Sequence, residues 1–439
     1  MFPISNLKSL LAGLSRFQIS NPESFFAGLL RFQISNLKSL FAGLLQFQIS
    51  NFKSFPAGLP LIGLLFPTLF AWTLHGFAQA PPAPYAVIPH DAVNYSGPGR
   101  DAGHDLEGSE IKIGFILPLG GPHLDEGQGL LQAAQLALED EAASPLPEGR
   151  RISLVPRDQN GLWGRTSSEV VHLVYEDQAV AIVTALDGGS AHIAEQVANK
   201  VGIPVVTLST DPTTTQINLP WIFRLGPTDT QQARAFARDI YVARKLEQVV
   251  LIVENGHDGR VGGGEFQKAA RQLNAPPLLQ LPIDPADWSP GALIRQIIAR
   301  RPQALVFWTG HETAAKLVPP LSKAFPMAPI YLCQEASQGR FDPGSTNIWV
   351  AAPGLEEHAL RESFEKRYRA RAGVSPAPAA AQAYDAVRLL AAALRRSGPN
   401  RARLRDALAD LPRFSGASGV ISFDHAGNDL SAVTLVRLP

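Results

Sequence analysis

The chain has 439 residues, enough for two or three domains with full cores. Lys+Arg and Asp+Glu number 39 each, so the formal net charge is zero, and with 18% charged residues no basic surface points to nucleic acid or an anionic membrane. The single cysteine, Cys333, excludes an internal disulfide, a cysteine zinc cluster and an iron–sulfur site, and it stands too far along the chain to be a lipid-attachment residue.

Residues 4–63 are four imperfect copies of a fifteen-residue unit, the first being ISNLKSLLAGLSRFQ. The unit is shorter than solenoid repeats and Asn21-Pro22 breaks the second copy, so residues 1–58 are read as lying outside the mature protein, with its start further along. Leu59–Leu74 is apolar, follows Lys53 and precedes Gly76-Phe77-Ala78, the pattern of a secretory signal over 59–80. At 16 residues, and interrupted by Pro60 and Pro67, it is short for a membrane span, and a retained anchor is the alternative. Residues 81–108 are rich in Pro and Gly and read as a linker.

From Ser109 onward, strand and helix patterns alternate, the signature of a parallel α/β sheet. Strands are predicted over 111–117, 151–156, 179–184 and 205–208, with helices over 128–142, 167–176 and 188–201 between them. A short extended piece, 220–224, precedes a break at Gly226-Pro227. A second round follows: helix 230–245, strand 249–253, a glycine turn with a helix around 262–273, strand 278–281, helix 291–300, strand 304–308, helix 312–325 and strand 330–333. Strand 348–352 ends at Pro353-Gly354; helices 358–371, 379–395 and 401–410 come next, and a terminal hairpin pairs 419–424 with 432–438.

Two rounds of βα units imply two doubly wound lobes, and the returning helices imply more than one crossing between them. Lobe 1 is assigned to 109–227 and 354–415, lobe 2 to 228–353 and 416–439. Ligands bind such sheets beyond the carboxyl ends of their strands. The stretch 179–215 offers such an edge: Asp187-Gly188-Gly189-Ser190 after one strand, and Ser209, Thr210 and Thr213 after the next.

Other constellations are weak. Gly262-Gly263-Gly264 lacks the Lys-Ser/Thr of a phosphate loop, and His257-Asp258 has no further metal ligands at suitable spacing along the chain. No nucleophile–His–acid series is present, so an enzyme using the cleft is the minor reading; neither a cofactor nor a metal is expected.

The motifs IKIGFILPLGG (111–121), DGGSAHIAEQVANKVGIPVV (187–206), STDPTTT (209–215), PWIFRLGPTDTQQARAFA (220–237), AAQAYDAVRLLAAAL (380–394) and GVISFDHAGN (419–428), in this order, resemble those of type I periplasmic solute-binding proteins of the leucine/isoleucine/valine-binding kind. The resemblance covers nearly all of 109–439. It implies two α/β lobes joined by three crossing strands that close on a ligand. It also implies that the turns Asp187, Gly188, Gly189, Ser190 and Leu208, Ser209, Thr210 hold the ligand's carboxylate through N–H groups and hydroxyls. Asp229 and Glu335 from lobe 2 would hold its ammonium, with His311 at the family's aromatic contact. Asp187 departs from the family's Ser-Gly start, and its carboxylate would repel an anion; helix capping is the alternative for both Asp187 and Asp229. His311 has a surface histidine as its alternative.

The function so implied is binding of a small polar ligand, such as an amino acid or amide, by an extracytoplasmic monomer that delivers it to the permease subunits of an ABC transporter. No nucleic acid takes part, and the membrane is touched only through the signal segment or the permease. A ligand-sensing receptor domain acting on a signalling partner is the alternative.

Overall fold

The computed structural model describes residues 97–438 apart from 160–162, 217–218, 277, 340, 342–346 and 355–357. The repeats, the signal assignment and most of the linker lie outside the described residues.

Lobe 1 is built on the buried runs predicted from sequence. Strands β1 (Glu110–Leu117), β2 (Arg151–Asp158), β3 (Ala181–Thr184), β4 (Val205–Thr207) and β5 (Ile222–Arg224) form a parallel sheet in the order β2-β1-β3-β4-β5. The period-two alternation of β1 sends Ile111, Ile113, Phe115 and Leu117 to one face and Ile116 to the other. The first face is covered by α1 (Leu124–Glu141), α8 (His358–Ala372), α9 (Pro378–Ser397) and α10 (Arg401–Ala409); the second by α2 (Trp163–Tyr175) and α3 (Gly188–Val201). Both faces of β3 and β4 are therefore dry, which is why they read as continuous apolar runs.

Lobe 2 repeats the plan with α4 (Asp229–Ala237), β6 (Val249–Glu254), α5 (His257–Gln272), β7 (Leu279–Ile283), α6 (Pro290–Arg300), β8 (Ala304–Trp308), α7 (His311–Ala324), β9 (Ile330–Leu332) and β10 (Ile348–Pro353). Its sheet has the order β13-β10-β9-β8-β6-β7, parallel except at one edge, where β13 (Val433–Arg437) runs antiparallel to β10. The two doubly wound sheets are thus as predicted.

Three local readings are corrected. The helix expected over 230–245 ends as α-helix at Ala237 and continues as a π-helical stretch, Arg238–Ala243. The terminal hairpin forms only around its turn, where Phe423 bridges Asp429 and Leu430 N–H donates to Ser422 O at 2.8 Å. Val420–Ile421 (β12) pairs with Phe414–Ser415 (β11), and the last strand pairs with β10, because completing the lobe 2 sheet covers its open edge. The glycine run 262–264 is helix interior rather than a turn. A Cβ on Gly262 would lie 1.8 Å from Trp308 Nε1, so the helix needs glycine there to pack on the indole.

The chain crosses between lobes three times, and the crossings bond to one another. Arg224 N–H donates to Gly427 O at 2.8 Å, and Gly226 N–H donates to the Asp429 carboxylate at 3.1 Å. Gly354 N–H donates to Ala432 O at 2.6 Å. Ala417 and Ile421 pack in the lobe 1 core, so the third crossing follows them. Arg224, fully buried, ties the first crossing to the third by donating to Asn428 Oδ1 at 2.7 Å, while its other contacts reach Asp211 O and the Thr214 and Thr215 hydroxyls.

Candidate functional site

In each sheet the strand order reverses once, and the loops leaving the two strands at that point diverge and open a crevice. In lobe 1 the reversal lies between β1 and β3, and in lobe 2 between β6 and β8. The loop after β1 ends at His123 and leads into α1, which carries Glu126 in its first turn; the loop after β3 carries Asp187 and leads into α3. From lobe 2, β6 leads to His257 and Asp258, β8 leads to His311, and β9 leads to Glu335. These segments enclose a cavity of about 250 Å³ lined from lobe 1 by His123, Glu126, Gln159, Thr166, Leu186, Asp187, Gly189, Ser190 and Ile193, and from lobe 2 by His257 and Glu335.

The glycine turn after β3 is a helix cap. Asp187 accepts a hydrogen bond from Ser190 N–H at 2.8 Å, closing the first turn of α3. The next N–H, that of Gly188, donates to Asp258 Oδ2 of the other lobe at 3.1 Å. A lobe 2 carboxylate thus stands where an anion would meet the helix N-terminus. The other oxygen, Asp258 Oδ1, is buried without a hydrogen-bond partner among the described residues. Burial, then the nearby Glu335 and Asp187, push the Asp258 carboxyl well above the usual range.

Glu335 lines the same cavity. Burial, followed by the charge of Glu126, raises its carboxyl to about 8, with His123 pulling the other way. His123 is itself raised to about 9 by its contact with Glu126. His311, at the start of α7, meets His123 edge-on with ring centres 5.2 Å apart, and its Nδ1 lies 3.9 Å from Glu126 Oε2. Burial, then the His123 charge, lower the His311 pKa. Gln159 Oε1, at the end of β2, is buried with no partner among the described residues.

Leu208, Ser209, Thr210 and Asp229 stand apart from the lining. Leu208 is in the lobe 1 core, and Ser209 Oγ accepts from Asp211 N–H at 3.2 Å. Thr210 joins the lobes: its hydroxyl donates to Asp229 Oδ1 at 2.9 Å, and its carbonyl accepts from Asp229 N–H at 2.8 Å. Asp229 Oδ1 also accepts from Trp308 Nε1 at 3.1 Å and from Gln232 Nε2 at 3.3 Å. Its carboxylate is 1% exposed, and burial raises it to about 6 against the pull of Trp308 and Thr210. The cap of α4 is Thr228, in a capping box with Gln231, and not Asp229.

Sequence reading missed His123, Glu126, Gln159, Thr166 and His257. Helix α1 begins at Leu124, four residues before the predicted start, because Gly127 packs against Pro118 O, where a Cβ would approach to 1.7 Å. That brings Glu126 and His123 to the cleft. Helix α5 likewise begins at His257, ahead of the glycines taken for a turn. His257 also has metal-type neighbours that spacing along the chain concealed, since His192 and Asp211 reach it only in space.

Two α/β lobes, each presenting its strand-reversal crevice to the other across a small polar cavity, define a solute-binding protein of the type I periplasmic fold. The chain belongs to the periplasmic binding protein family, whose sequence profile matches residues 110–437. Among solved structures it is similar to the leucine-binding protein LivK of Thermotoga maritima, with 18% identity, TM-score 0.64, and coverage of 75% of this chain and 95% of that one. It is similar to LivJ of Streptococcus pneumoniae in complex with isoleucine, with 22% identity, TM-score 0.64, and coverage of 75% and 100%. A solute-binding protein of an ABC transporter from R. palustris in complex with benzoate matches with 19% identity, TM-score 0.68, and coverage of 75% and 93%. At these identities the fold is what is shared. An amino acid binding protein of Pseudomonas aeruginosa is 25% identical over 211 residues, 48% of this chain and 56% of that protein. Glutamate receptor 2.9 of Arabidopsis thaliana is 28% identical over 148 residues, 34% of this chain and 15% of the receptor. The chain thus spans about half, or less, of the length of these curated relatives.

Proposed function

We propose that the protein binds a small polar solute rich in N–H donors, such as an amide, an amine or an amino acid held by its ammonium group, in the cavity between the lobes. One observation carries this reading: three carboxyl groups and an amide oxygen line the cavity beside His123 and His257. Glu126, Asp187 and Glu335 face the cavity, Gln159 Oε1 awaits a donor, and the Gly188 N–H suited to a ligand carboxylate already donates to Asp258. A charge-assisted hydrogen bond to such an acceptor contributes roughly 1.5–3 kcal/mol. Of the predicted contacts, Asp187, Gly189, Ser190 and Glu335 line the cavity; in this reading they touch the solute. Gly188, Thr210, Asp229 and His311, which meet the other lobe, serve closure around it, while Leu208 and Ser209 pack within lobe 1.

Closure is the mechanism. Solute bound on lobe 1 gains contacts from Glu335 and His257 only when the lobes meet, so it favours the closed form by that difference in affinity. Delivery to an ABC permease, an extracytoplasmic location following export by the 59–80 segment, and a monomeric state belong to the same reading. It is supported by the family and by solute-binding neighbours rather than enzymes. The similarity to part of a plant glutamate receptor supports, as a second reading, a sensing role for the same clamp.

The test is calorimetry of the full chain against amides, amines, amino acids and small carboxylates. An amide, amine or amino acid should bind, and Glu335→Gln should weaken it by about 10–100-fold. Binding confined to anionic or apolar compounds such as benzoate would overturn the reading.

A further inference from the structure

Beside the solute cavity, Asp211 leaves β4 and turns into a single helical turn, Thr213–Gln216. Its Oδ1 is occupied by Thr213, accepting from the backbone N–H at 2.8 Å and from the hydroxyl at 2.7 Å. Its Oδ2 faces two imidazoles. His192 Nε2, from α3 in lobe 1, lies at 3.2 Å, and His257 Nε2, from α5 in lobe 2, lies at 2.7 Å. The rings meet edge-on with centres 5.8 Å apart.

Behind His192 stands a carboxylate that the solute site does not use. Glu195 Oε2 lies 3.1 Å from His192 Nδ1, and the residue is 1% exposed. A carboxylate on Nδ1 favours a proton there and fixes the ring with Nε2 facing Asp211. The same carboxylate–histidine pairing orients imidazoles that ligate metals.

We propose that His192, Asp211 and His257 form a three-ligand site for a divalent transition metal of the Zn2+ class, clasping the two lobes at the rim of the cleft. Two imidazoles with one carboxylate suit that class, whereas Ca2+ and Mg2+ take oxygen ligands. The donor separations of 2.7 and 3.2 Å need little adjustment to reach the roughly 3.3 Å between ligands set ~2.0 Å from a tetrahedral centre. His257 is 44% exposed in its side chain, so water or a bound solute can reach a fourth position; Thr213 Oγ1, 2.8 Å from His192 Nε2, is a protein alternative. Two donors belong to lobe 1 and the third to lobe 2, so the metal binds the closed form more tightly than the open one and favours closure. A second cluster, His123, Glu126 and His311, has longer separations of 3.6 and 3.9 Å and, among the described residues, no carboxylate backing comparable to Glu195, and it serves as the internal control.

The experiment uses the full chain, treated with a chelator, dialysed and titrated with ZnCl2 and then CoCl2 in the absence of solute, so its outcome is independent of what the cavity binds. One Zn2+ should bind per chain, and Co2+ should show the visible absorption of a tetrahedral site. His257→Ala, at a side chain 44% exposed, should fold, lose that absorption and weaken Zn2+ binding by roughly 100-fold or more. Glu195→Gln should weaken it by about 10–100-fold. His311→Ala should keep one Zn2+ per chain and the tetrahedral Co2+ absorption. Small-angle scattering should show Zn2+ compacting the wild type but not His257→Ala. Absence of stoichiometric Zn2+ binding, binding undiminished in His257→Ala, or binding lost in His311→Ala would each overturn the proposal.

Discussion

Gly188 and Asp258, seventy residues apart and in different lobes, share a hydrogen bond of 3.1 Å in which the helix N-terminus of one lobe holds a carboxylate of the other. The protein thus fills with its own side chain a position suited to a ligand's carboxylate. Asp258→Ala exposes the Gly188 N–H and removes a buried acid. The variant should therefore bind small carboxylates that the wild type excludes, read as a gain in thermal shift with acetate or benzoate. If wild type and variant respond alike to anions, Asp258 does not guard this position.

The same contact leaves no room for a side chain. A Cβ on Gly188 would lie 2.4 Å from Asp258 Oδ1 and 3.0 Å from Asp211 Cβ. Alanine is favoured over glycine in a helix by roughly 1 kcal/mol, which in Gly188→Ala offsets the tight approach to Asp211 within lobe 1. The closer approach to Asp258 is relieved only when the lobes part. Solute affinity should fall by roughly tenfold or more, with scattering showing a more open form. Wild-type affinity would show that the lobes close without this approach.

Glu335 sets a pH dependence for binding. With its carboxyl raised to about 8, it is protonated in the free closed cleft at neutral pH. A cationic solute pairs with the ionised form, so affinity should rise with pH through about 8, and binding near neutrality should release a proton. Calorimetry in buffers of different ionisation heat measures that proton, and Glu335→Gln should abolish it. An affinity independent of pH between about 6 and 9 contradicts the assignment.

Asp229 carries the opposite consequence for stability. Burial raises its carboxyl from the ordinary 3.8 to about 6, so the native state prefers the protonated form. Its stabilising contribution is complete below about pH 4 and is lost as pH rises through about 6. Asp229→Asn keeps an oxygen for Trp308, Thr210 and Gln232 without the charge. Its melting temperature should gain on the wild type from about pH 4 to pH 7, by an amount equivalent to at most ~3 kcal/mol, taking ~1.4 kcal/mol per pH unit. A constant difference across that range rules this out.

Much of the fold is legible in the chain because the forces that set it are local or periodic. The β-branched runs at 179–184 and 205–208 can be satisfied only as doubly buried strands, and Ile193, Val197 and Val201 recur on one helix face. Asp187 ahead of a helix is legible as a cap for the same reason. Glu335 is reached only through the family resemblance, which places an acidic contact just beyond strand 330–333. Two glycines misled. Gly127 and Gly262 look like breakers, yet each stands where a helix runs against Pro118 O or the Trp308 indole, a contact invisible without the partner.

By itself the sequence determined two βα rounds, their division near Gly226-Pro227 and the residues available at each strand's carboxyl end, since these follow from periodicity and turn chemistry. Tertiary structure alone decided which ends meet. His192, Asp211 and His257, or Gly188 and Asp258, become neighbours only when two sheets dock with their reversal points opposed. That docking also decides the polarity of the cleft, because it places a carboxylate against the helix N-terminus that would otherwise receive an anion.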